Sequence, residues 1–389
     1  MIVQLDQSGS SDSSAGRAPK RILQVVESAC AGVGGHVLDL VEGLSKSNCK
    51  IHLMYSPLRI DNPFRQRLEA MGNIKSLPIK MRRRPELRDL LSAKRIRDYV
   101  NQHGPFDVIH AHSTKAGGLV RLPFVSGRTK TVYTPNGIFT MNQMAGKLAQ
   151  FVAKRIEISL AKRCSAIIAV SPEEKEHMHA IGFAKEQVHF IANGIRQQQW
   201  PSRDEVRRAL NISPDKIVIG FLGRLAPQKN PLLLIKAFAD MNRDDSVCLA
   251  IGGDGPLAQP CRQLARKLNV DSRIQWLGFK TAQETMPAFD VFAMPSRYEG
   301  MPYVMMEALS VGLPIVATNV GGTGIGVEPD VNGFIVPNGE SDALSFRLQA
   351  LVDSKELRKS FGEASLTRAK QFSVEAMIKQ TLSLYERLP

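Results

Sequence analysis

The sequence predicts an α/β protein built from two doubly wound, Rossmann-like domains. Short segments rich in Val, Ile, Leu and Phe alternate with helical patterns along the chain, which is typical of parallel sheets. These segments form two successive series, and 389 residues are enough for two domains of ordinary size. The turn-rich stretch from Asn193-Gly194 to Pro201 separates the two series and marks the expected boundary.

Four parts of the chain are expected on this basis. A tail rich in Ser, Gly and Asp covers residues 1–19 and lacks the apolar core of a signal peptide, so we expect it to be disordered. The first domain is expected over residues 20–195 and the second over residues 196–373. A final helix over residues 374–389 is expected to dock back on the first domain.

Each expected strand is apolar and is bounded by Gly, Pro, Asn or Ser, the residue types that form turns. In the first series the strands are expected at Arg21–Glu27, Lys50–Tyr55, Asp107–Ala111, Lys130–Tyr133, Ala166–Val170 and Val188–Ile191. In the second they are expected at Lys216–Leu222, Val247–Ile251, Arg273–Leu277, Val291–Met294, Pro314–Ala317 and Gly333–Val336. The intervening helical patterns include His36–Ser45, Glu86–Gln102, Pro231–Met241 and Pro256–Lys267.

The composition excludes several classes of protein. A hydrophobic fraction of 43% and a charged fraction of 23% are those of a soluble globular protein. The five cysteines are scattered and form no Cys-x-x-Cys pair, so neither a disulfide framework nor a zinc site is indicated, and we expect a reducing cytoplasm. No apolar run approaches the ~18–20 residues that a membrane-spanning helix needs.

The net charge of +14 is concentrated in one half of the chain. Residues 1–200 contain 29 Lys and Arg against 16 Asp and Glu, whereas residues 201–389 contain 22 against 21. A solvated basic helix face is the alternative explanation, but this confinement favours an anionic partner, and we expect an anionic membrane surface. Nucleic acid is not expected, because interleaved aromatics and a nucleic-acid module are missing. The basic residues cluster around Arg82, Arg83 and Arg84 and again at Lys147, Lys154, Arg155, Lys162 and Arg163.

A glycine-rich turn follows the first expected strand and precedes a helix. The run Ala31-Gly32-Val33-Gly34-Gly35-His36-Val37 lets backbone amides approach a ligand closely, which suits a phosphate group. The dinucleotide fingerprint fails, because position 37 is Val and no acidic residue ends the second strand. A phosphate contact by Gly34 and Gly35 and a plain glycine turn remain equally supported by this loop alone.

The second domain opens with a strand, a loop and a helix that together suit a diphosphate. Arg224 and Lys229 lie five residues apart in the loop, beside the expected helix N-terminus. Asn230 is expected to cap that helix, with Pro231 in its first helical position. Two cations at such a helix start favour an anion over two merely solvated side chains.

Two histidines follow each other at alternate positions near the end of a first-domain strand. His110 and His112 point to the same side if the strand continues to His112, and parallel strands bind ligands at their carboxyl ends. A metal site needs a third ligand, and none is apparent nearby. We therefore expect a hydrogen-bonding role toward a substrate.

Two glutamates lie eight residues apart after a second-domain strand. Glu299 is expected in a Gly/Pro-containing loop and Glu307 about two turns into a helix, so that both carboxylates reach one ligand. An ionised carboxylate only accepts hydrogen bonds, and the paired hydroxyls of a ribose are a natural target. Further along, the glycine-rich turn that contains Gly321 and Gly322 again offers backbone amides to an anion.

These motifs, taken in this order, resemble the retaining glycosyltransferases of family 4, the "group 1" type with the GT-B fold. The resemblance covers nearly the whole chain after the tail. It rests on Gly32–Gly35, His112, Asn193-Gly194, Gly223-Arg224 with Lys229-Asn230, Gly252–Pro256, Leu277-Gly278, Glu299 with Glu307, and Asn332-Gly333. One position departs from the family pattern, because Ile325 stands where the family usually has Glu, so any role of that side chain is lost.

The resemblance implies a site in the cleft between two facing domains. Arg224 and Lys229 would hold the donor diphosphate, Glu307 the nucleotide ribose, and His112 with Glu299 the transferred sugar. Gly34, Gly35, Gly278, Gly321 and Gly322 are further donor-binding positions by this analogy. His110 is the weaker candidate for catalysis. Asp-x-Asp is missing from the chain, so no metal or other cofactor is expected.

The implied function is retaining transfer of a hexose-type sugar from a nucleotide-diphosphate sugar. The expected acceptor is a polyprenyl-diphosphate-linked saccharide at the inner face of the cytoplasmic membrane, in cell-surface polysaccharide or glycan assembly. Two alternatives remain open at this point. One is a nucleotide-sugar epimerase of the same fold, and the other is a protein that binds nucleotide sugars without catalysis.

Overall fold

The protein is represented by a computed structural model that describes residues 18–82, 85–142, 145–241 and 244–389. Two parallel sheets, each flanked by helices, form two Rossmann-like domains, as the sequence predicts. Within these residues, no helix is both long and apolar enough to span a membrane.

The first domain contains a seven-stranded sheet with the order β3-β2-β1-β4-β5-β6-β7. Its strands are β1 (Lys20–Val26), β2 (Cys49–Tyr55), β3 (Lys75–Pro78), β4 (Val108–His112), β5 (Lys130–Thr134), β6 (Ala166–Ala169) and β7 (Val188–Phe190). Its helices are α1 (Ala31–Lys46), α2 (Asn62–Ala70), α3 (Asp89–His103), α4 (Thr114–Val120), α5 (Lys147–Ala161) and α6 (Pro172–Ile181). Strand order reverses between β1 and β4, and this is where ligands bind in such sheets.

The second domain contains a six-stranded sheet with the order β10-β9-β8-β11-β12-β13. The helix α7 (Arg203–Ala209) precedes it. The strands are β8 (Ile217–Leu222), β9 (Val247–Gly252), β10 (Ile274–Gly278), β11 (Val291–Met294), β12 (Ile315–Thr318) and β13 (Gly333–Val336). The helices are α8 (Pro231–Asp240), α9 (Ala258–Lys267), α10 (Tyr303–Val311), α11 (Thr323–Gly326), α12 (Ser341–Asp353) and α13 (Lys355–Ala369). Here the order reverses between β8 and β11.

The last helix, α14 (Val374–Arg387), crosses back to the first domain. Its buried residues Met377, Leu384 and Tyr385 join the apolar core that α1 forms with β1. The two helices are in close contact, since a Cβ added to Gly43 of α1 would lie 1.8 Å from Cδ1 of Ile378. The expected docking of the final helix on the first domain is therefore confirmed.

The carboxyl ends of the two sheets face each other and their loops touch. A Cβ added to Gly300, after β11, would lie 2.9 Å from the nitrogen of Gly137, which follows β5. A Cβ added to Gly32 would likewise lie 2.9 Å from the ring of Tyr303 in α10. Glycine is favoured at Gly300 because two backbones approach closely there, and at Gly32 because the Tyr303 side chain fills the space of a Cβ. The space between the reversal points of the two sheets is the cleft.

Three local predictions are corrected by the structure. The glycine run before His36 belongs to the first turn of α1 and is no preceding loop. Asn230 occupies the cap position of α8, but its backbone is left-handed, with φ 50°, and its side chain makes no capping hydrogen bond. Strand β3 was not predicted, because its mostly exposed sequence Lys-Ser-Leu-Pro carries neither apolar alternation nor a β-branched residue.

Candidate functional site

An ion pair lies at the point where strand order reverses in the second sheet. Lys229, in the loop after β8, places its Nζ 2.6 Å from Oε1 of Glu299, in the loop after β11. Both side chains are largely buried, with 19% and 7% exposure. The neighbouring Arg224 is exposed. The structure thus brings Lys229 and Glu299, two residues 70 positions apart, into direct contact at the edge of the cleft.

The glycines after β8, β9 and β10 give this edge its shape. Gly223 has φ 158° and Gly253 has φ 131°, and a Cβ on Gly253 would lie 1.9 Å from the carbonyl oxygen of Gly223. The nitrogen of Gly253 donates a hydrogen bond of 2.6 Å to the carbonyl of Gly278. Gly278 has φ 66° and nothing within 4 Å of its Cβ position, so its outer side is open to a ligand.

Glu307 lies in the second turn of α10, slightly earlier in the helix than predicted. Within the described residues, its carboxylate forms neither an ion pair nor a hydrogen bond. Desolvation by its surroundings raises the pKa of Glu307 from 4.5 to about 7. Its neighbour Tyr303 has a buried hydroxyl that also lacks a hydrogen-bond partner among these residues. Glu307 and Tyr303 therefore leave polar groups free at the cleft, in contrast to the paired Glu299.

The turn between β12 and α11 is bound by the first domain. Gly322 has φ 76° and donates its N–H to Oε2 of Glu173, the second residue of α6, at 3.2 Å. Gly321 packs against the carbonyl of Glu299, which would lie 2.9 Å from an added Cβ. The carbonyl of Ile325 accepts two hydrogen bonds from Arg368, and its side chain packs against the apolar core of the second domain. An anion bound by this turn would replace the Glu173 carboxylate.

On the first-domain side of the cleft, the glycine run begins α1. Gly34 packs against the backbone of Ala29, and a Cβ there would lie 2.9 Å from its carbonyl carbon. Gly35 has nothing within 4 Å of its Cβ position and is open. His36 follows and is 5% exposed, and both of its ring nitrogens lack a partner in the described structure. Burial lowers the pKa of His36 to about 4, so its ring is neutral at pH 7.

His112, the last residue of β4, is fully buried, and its protonation is set by Gln24 of β1. The Nε2 of His112 lies 2.7 Å from Oε1 of Gln24, whose Nε2 donates to the hydroxyl of Tyr385 at 3.3 Å. Because Gln24 accepts at this oxygen, the His112 proton is on Nε2. Its Nδ1 is then a bare acceptor, and it has no partner among the described residues.

His110 belongs to the same buried network. The Tyr385 hydroxyl lies 2.6 Å from Nδ1 of His110, whose Nε2 lies 2.7 Å from Oγ1 of Thr134. The rings of His110 and His112 are 4.1 Å apart, as expected for residues on one side of a strand. Burial lowers the pKa values of both histidines well below the ordinary value, so both are neutral. Helix α14, through Tyr385, thus contacts His110 and Gln24, and Gln24 is the hydrogen-bond partner of His112.

Of the three arginines predicted to contact membrane or acceptor, the structure describes Arg82. Arg82 is 63% exposed and forms a 3.6 Å ion pair with Glu86. Arg83 and Arg84 lie outside the described residues. In the part of the chain that the structure describes, no group of three His, Cys, Asp or Glu side chains is arranged to hold a metal ion.

The comparison with protein families decides the class of this protein. Residues 202–368 match the family described as "Glycosyl transferases group 1", and residues 31–199 match the one described as "Glycosyltransferase Family 4". The chain belongs to the group 1 glycosyltransferases of family 4. The predicted family is confirmed, and the protein is a glycosyltransferase.

Curated relatives of this glycosyltransferase differ in what they act on. The chain is 30% identical over 300 residues to the D-inositol 3-phosphate glycosyltransferase of Corynebacterium glutamicum, and the aligned region covers 72% of each chain. It is 29% identical over 263 residues to the Escherichia coli UDP-Gal:alpha-D-GlcNAc-diphosphoundecaprenol alpha-1,3-galactosyltransferase. This aligned region covers 65% of this chain and 68% of that protein.

Solved structures confirm the GT-B fold. The Anabaena HepE protein in complex with UDP and glucose superposes with a TM-score of 0.82 at 22% identity, over 95% of this chain and 100% of that one. Sucrose-phosphate synthase from Thermosynechococcus elongatus superposes with a TM-score of 0.81 at 19% identity, over 95% of this chain and 99% of that one.

Several residues of the cleft were missed by sequence reasoning. Gln24 is the one polar residue inside the apolar core of β1, and this break in the pattern was an available signal. Tyr385 and Glu173 contact residues of the cleft that lie far from them in sequence. Tyr303 lies four residues before Glu307, and its ring meets Gly32 of the first domain. Their contacts depend on domain packing, which no local pattern records.

Proposed function

We propose that this glycosyltransferase moves a hexose-type sugar from a nucleotide-diphosphate sugar to a polyprenyl-diphosphate-linked saccharide, with retention of anomeric configuration. The observation that carries the proposal is the Lys229–Glu299 pair at the reversal point of the second sheet, opposite His112 at the reversal point of the first. The E. coli relative, whose name states a diphosphoundecaprenol-linked acceptor, supports this choice of acceptor.

In the proposed donor complex, the diphosphate replaces Glu299 as the partner of Lys229. Arg224 and the amides of Gly321 and Gly322 add further positive potential beside it. Glu299, released from its ion pair, then accepts hydrogen bonds from hydroxyls of the transferred sugar. Glu307 accepts from the ribose hydroxyls, and Gly35 and Gly278, whose Cβ positions are open, leave room for the donor.

The proposed chemical step is a same-face displacement without a metal. The bond between the anomeric carbon and the leaving phosphate oxygen breaks while the acceptor oxygen bonds to the same face of that carbon. The acceptor proton passes to an oxygen of the leaving phosphate. Lys229 and Arg224 stabilise the charge that develops on that phosphate. The bare Nδ1 of His112 accepts a hydrogen bond from a hydroxyl of the transferred sugar and so orients the sugar ring.

We further propose that the enzyme works at the inner face of the cytoplasmic membrane, in cell-surface polysaccharide or glycan assembly. Its acceptor-side domain carries nearly all the net positive charge of the chain, with 29 basic and 16 acidic residues in the first 200. Such an excess attracts an anionic lipid surface.

The test is nucleotide release from a panel of UDP-, GDP- and ADP-sugars, with a bacterial lipid extract as the source of acceptor. We expect release from one donor that requires the extract and is lost in Glu307→Ala. Formation of an epimer without extract would identify an epimerase instead. Tight nucleotide binding with no release from any donor would contradict sugar transfer and favour a binding protein.

A further inference from the structure

The outward face of α5 in the first domain carries large apolar side chains. Leu148, Phe151, Val152 and Ile156 are 77%, 61%, 47% and 53% exposed. They occupy positions i, i+3, i+4 and i+8, which lie on one side of a helix. A helix on the surface of a water-soluble domain usually presents polar residues on this side.

Contacts of the opposite face of α5 hold the helix with its apolar side chains pointing outward. Glu157 is 3% exposed and accepts hydrogen bonds from Arg121, directly after α4, at 2.8 Å and from Tyr133 of β5 at 3.2 Å. The Arg121 guanidinium also lies 3.9 Å from the centre of the Tyr133 ring. Rotation of α5 to cover its apolar residues would leave this buried charge pair unpaired, which is strongly unfavourable.

The charged side chains that α5 exposes are all of one sign. Lys147, Arg155, Lys162 and Arg163 are exposed on α5 or directly after it, whereas the only acidic residue of the helix, Glu157, is buried. An apolar strip bordered by cations fits an anionic bilayer, in which the apolar side chains enter the headgroup region and the cations meet lipid phosphates.

A second apolar patch lies at the start of α3, on the same face of the sheet. Leu87, Leu90 and Leu91 are 90%, 59% and 61% exposed. Helices α3 and α4 pack on the face of the sheet that carries Ile109 and Ala111 of β4. Tyr133 is paired with Ala111, and α5 packs on the same face through Ala161. The two patches therefore flank α4 on one broad surface of the domain.

This surface adjoins the cleft. The short helical turn Phe139–Met141 precedes α5, and the Cε of Met141 lies 3.0 Å from the Cβ position of Gly321 in the second domain. The chain therefore passes from the edge of the cleft directly to the N-terminal end of α5.

We infer that the outward face of α5, with Leu87, Leu90 and Leu91, inserts into the headgroup region of an anionic bilayer. Contact there would place the mouth of the cleft beside the lipid headgroups. This inference rests on the proposed function for its biological purpose, because a lipid-linked acceptor would bring the enzyme to a membrane. The vesicle-binding test below does not depend on that acceptor.

The first experiment measures sedimentation with vesicles of phosphatidylethanolamine and phosphatidylglycerol, and with vesicles of phosphatidylcholine. The variant is Leu148→Gln/Phe151→Gln, and its matched control is Phe346→Gln/Leu366→Gln, which changes two apolar residues of the second domain that are 69% and 45% exposed. We expect wild type and control to bind the anionic vesicles, and the α5 variant to bind on the order of tenfold more weakly or worse.

A second variant reports on insertion directly. Trp200 and Trp276 both pack against the core of the second domain, so a tryptophan introduced by Phe151→Trp can be compared with wild type as background. We expect brominated lipids to quench the added fluorescence in anionic vesicles. Absence of that quenching, or equal vesicle binding by the α5 variant and its control, overturns the inference.

Two further readouts separate this inference from its alternatives. Binding of UDP, GDP and ADP is measured in solution for the same variants, and we expect it to be unchanged. Vesicle binding without binding of any nucleotide would contradict the proposed function but would still support α5 as a membrane-binding surface. A wild-type dimer that the α5 variant converts to a monomer, with vesicle binding intact, would show that this face joins two copies and would overturn the inference.

Discussion

The two domains share one topology but differ in what they expose. Each sheet reverses its strand order beside its first strand, and the candidate residues lie at those two points. The first half of the chain nevertheless carries an excess of 13 basic residues, and the second half an excess of 1. Of the 15 large apolar side chains that are exposed among the described residues, 11 belong to the first half. Two domains of one topology therefore differ in the charge and apolar area of their surfaces.

The chemistry at the two reversal points also differs. In the first domain it is a buried network of neutral groups, in which His112 hydrogen-bonds Gln24 and burial keeps the pKa of the histidine low. In the second it is the charged pair of Lys229 and Glu299. Neutral acceptors suit sugar hydroxyls, whereas a cation suits a diphosphate. The comparison indicates that one fold provides two kinds of site by changing a few side chains after its strands.

The largest expected effect comes from Lys229→Ala. In the proposed mechanism, loss of this cation removes the main stabilisation of the leaving phosphate, and we expect kcat/KM for the donor to fall about 100-fold. Binding to anionic vesicles should not change, because the substitution lies in the second domain. Steady-state kinetics and vesicle sedimentation measure the two effects. Lys236→Ala, at an exposed lysine of α8, is the control, and equal kinetics in both variants would contradict the assignment.

Glu307→Gln tests the donor side through pH. The pKa of Glu307 is raised to about 7, so between pH 4.5 and 7 the folded protein holds a proton that an ordinary carboxyl would release. If the ionised form binds ribose, nucleotide affinity in wild type falls about tenfold per pH unit below 7 and levels off above it. Calorimetric titration of both proteins with the same nucleotide cancels the titration of the ligand. A wild-type slope that persists in Glu307→Gln would exclude this role.

Tyr385→Phe tests the neutral network of the first domain. It removes the hydroxyl that joins Gln24 to His110, and we expect the free energy of unfolding to fall by about 1–3 kcal/mol. We also expect kcat to fall more than KM changes, because His112 loses its fixed orientation. Tyr99→Phe removes a similar hydroxyl, 2.8 Å from Nδ1 of His52, at a distance from the cleft. Urea unfolding and kinetics on both variants separate the effects, and an equal loss of kcat in both would contradict a positioning role for Tyr385.

Arg82→Glu gives the smallest expected effect. Each cation near an anionic surface contributes about 1 kcal/mol, so we expect about fivefold weaker binding to anionic vesicles. The nearby Glu86 already neutralises part of this charge, at a distance of 3.6 Å. Lys267→Glu, at an exposed lysine of the second domain, makes the same charge change and should leave vesicle binding intact. Equal losses in the two variants would mean that net charge alone governs binding.

Most of the architecture could be predicted because strands in parallel sheets are apolar runs with clear ends. The exception, β3, is a short edge strand whose alternation is too weak to detect. Among the candidate site residues, Lys229 and Glu299 follow apolar strands, and their proximity comes from strand order. That order cannot be read from local patterns, and neither can the contact of Tyr385 with His110.

The return of α14 to the first domain has a consequence for synthesis. Gln24 and Tyr385 are 361 residues apart, and the whole second domain is translated between them. A nascent chain can form β1 and α1 early, but the core that they share with α14 stays open until the final residues leave the ribosome. A product that stops before residue 374 would lack the tyrosine that contacts His110. Interrupted translation therefore yields a first domain with an exposed apolar groove, which the folding machinery of the cell can recognise.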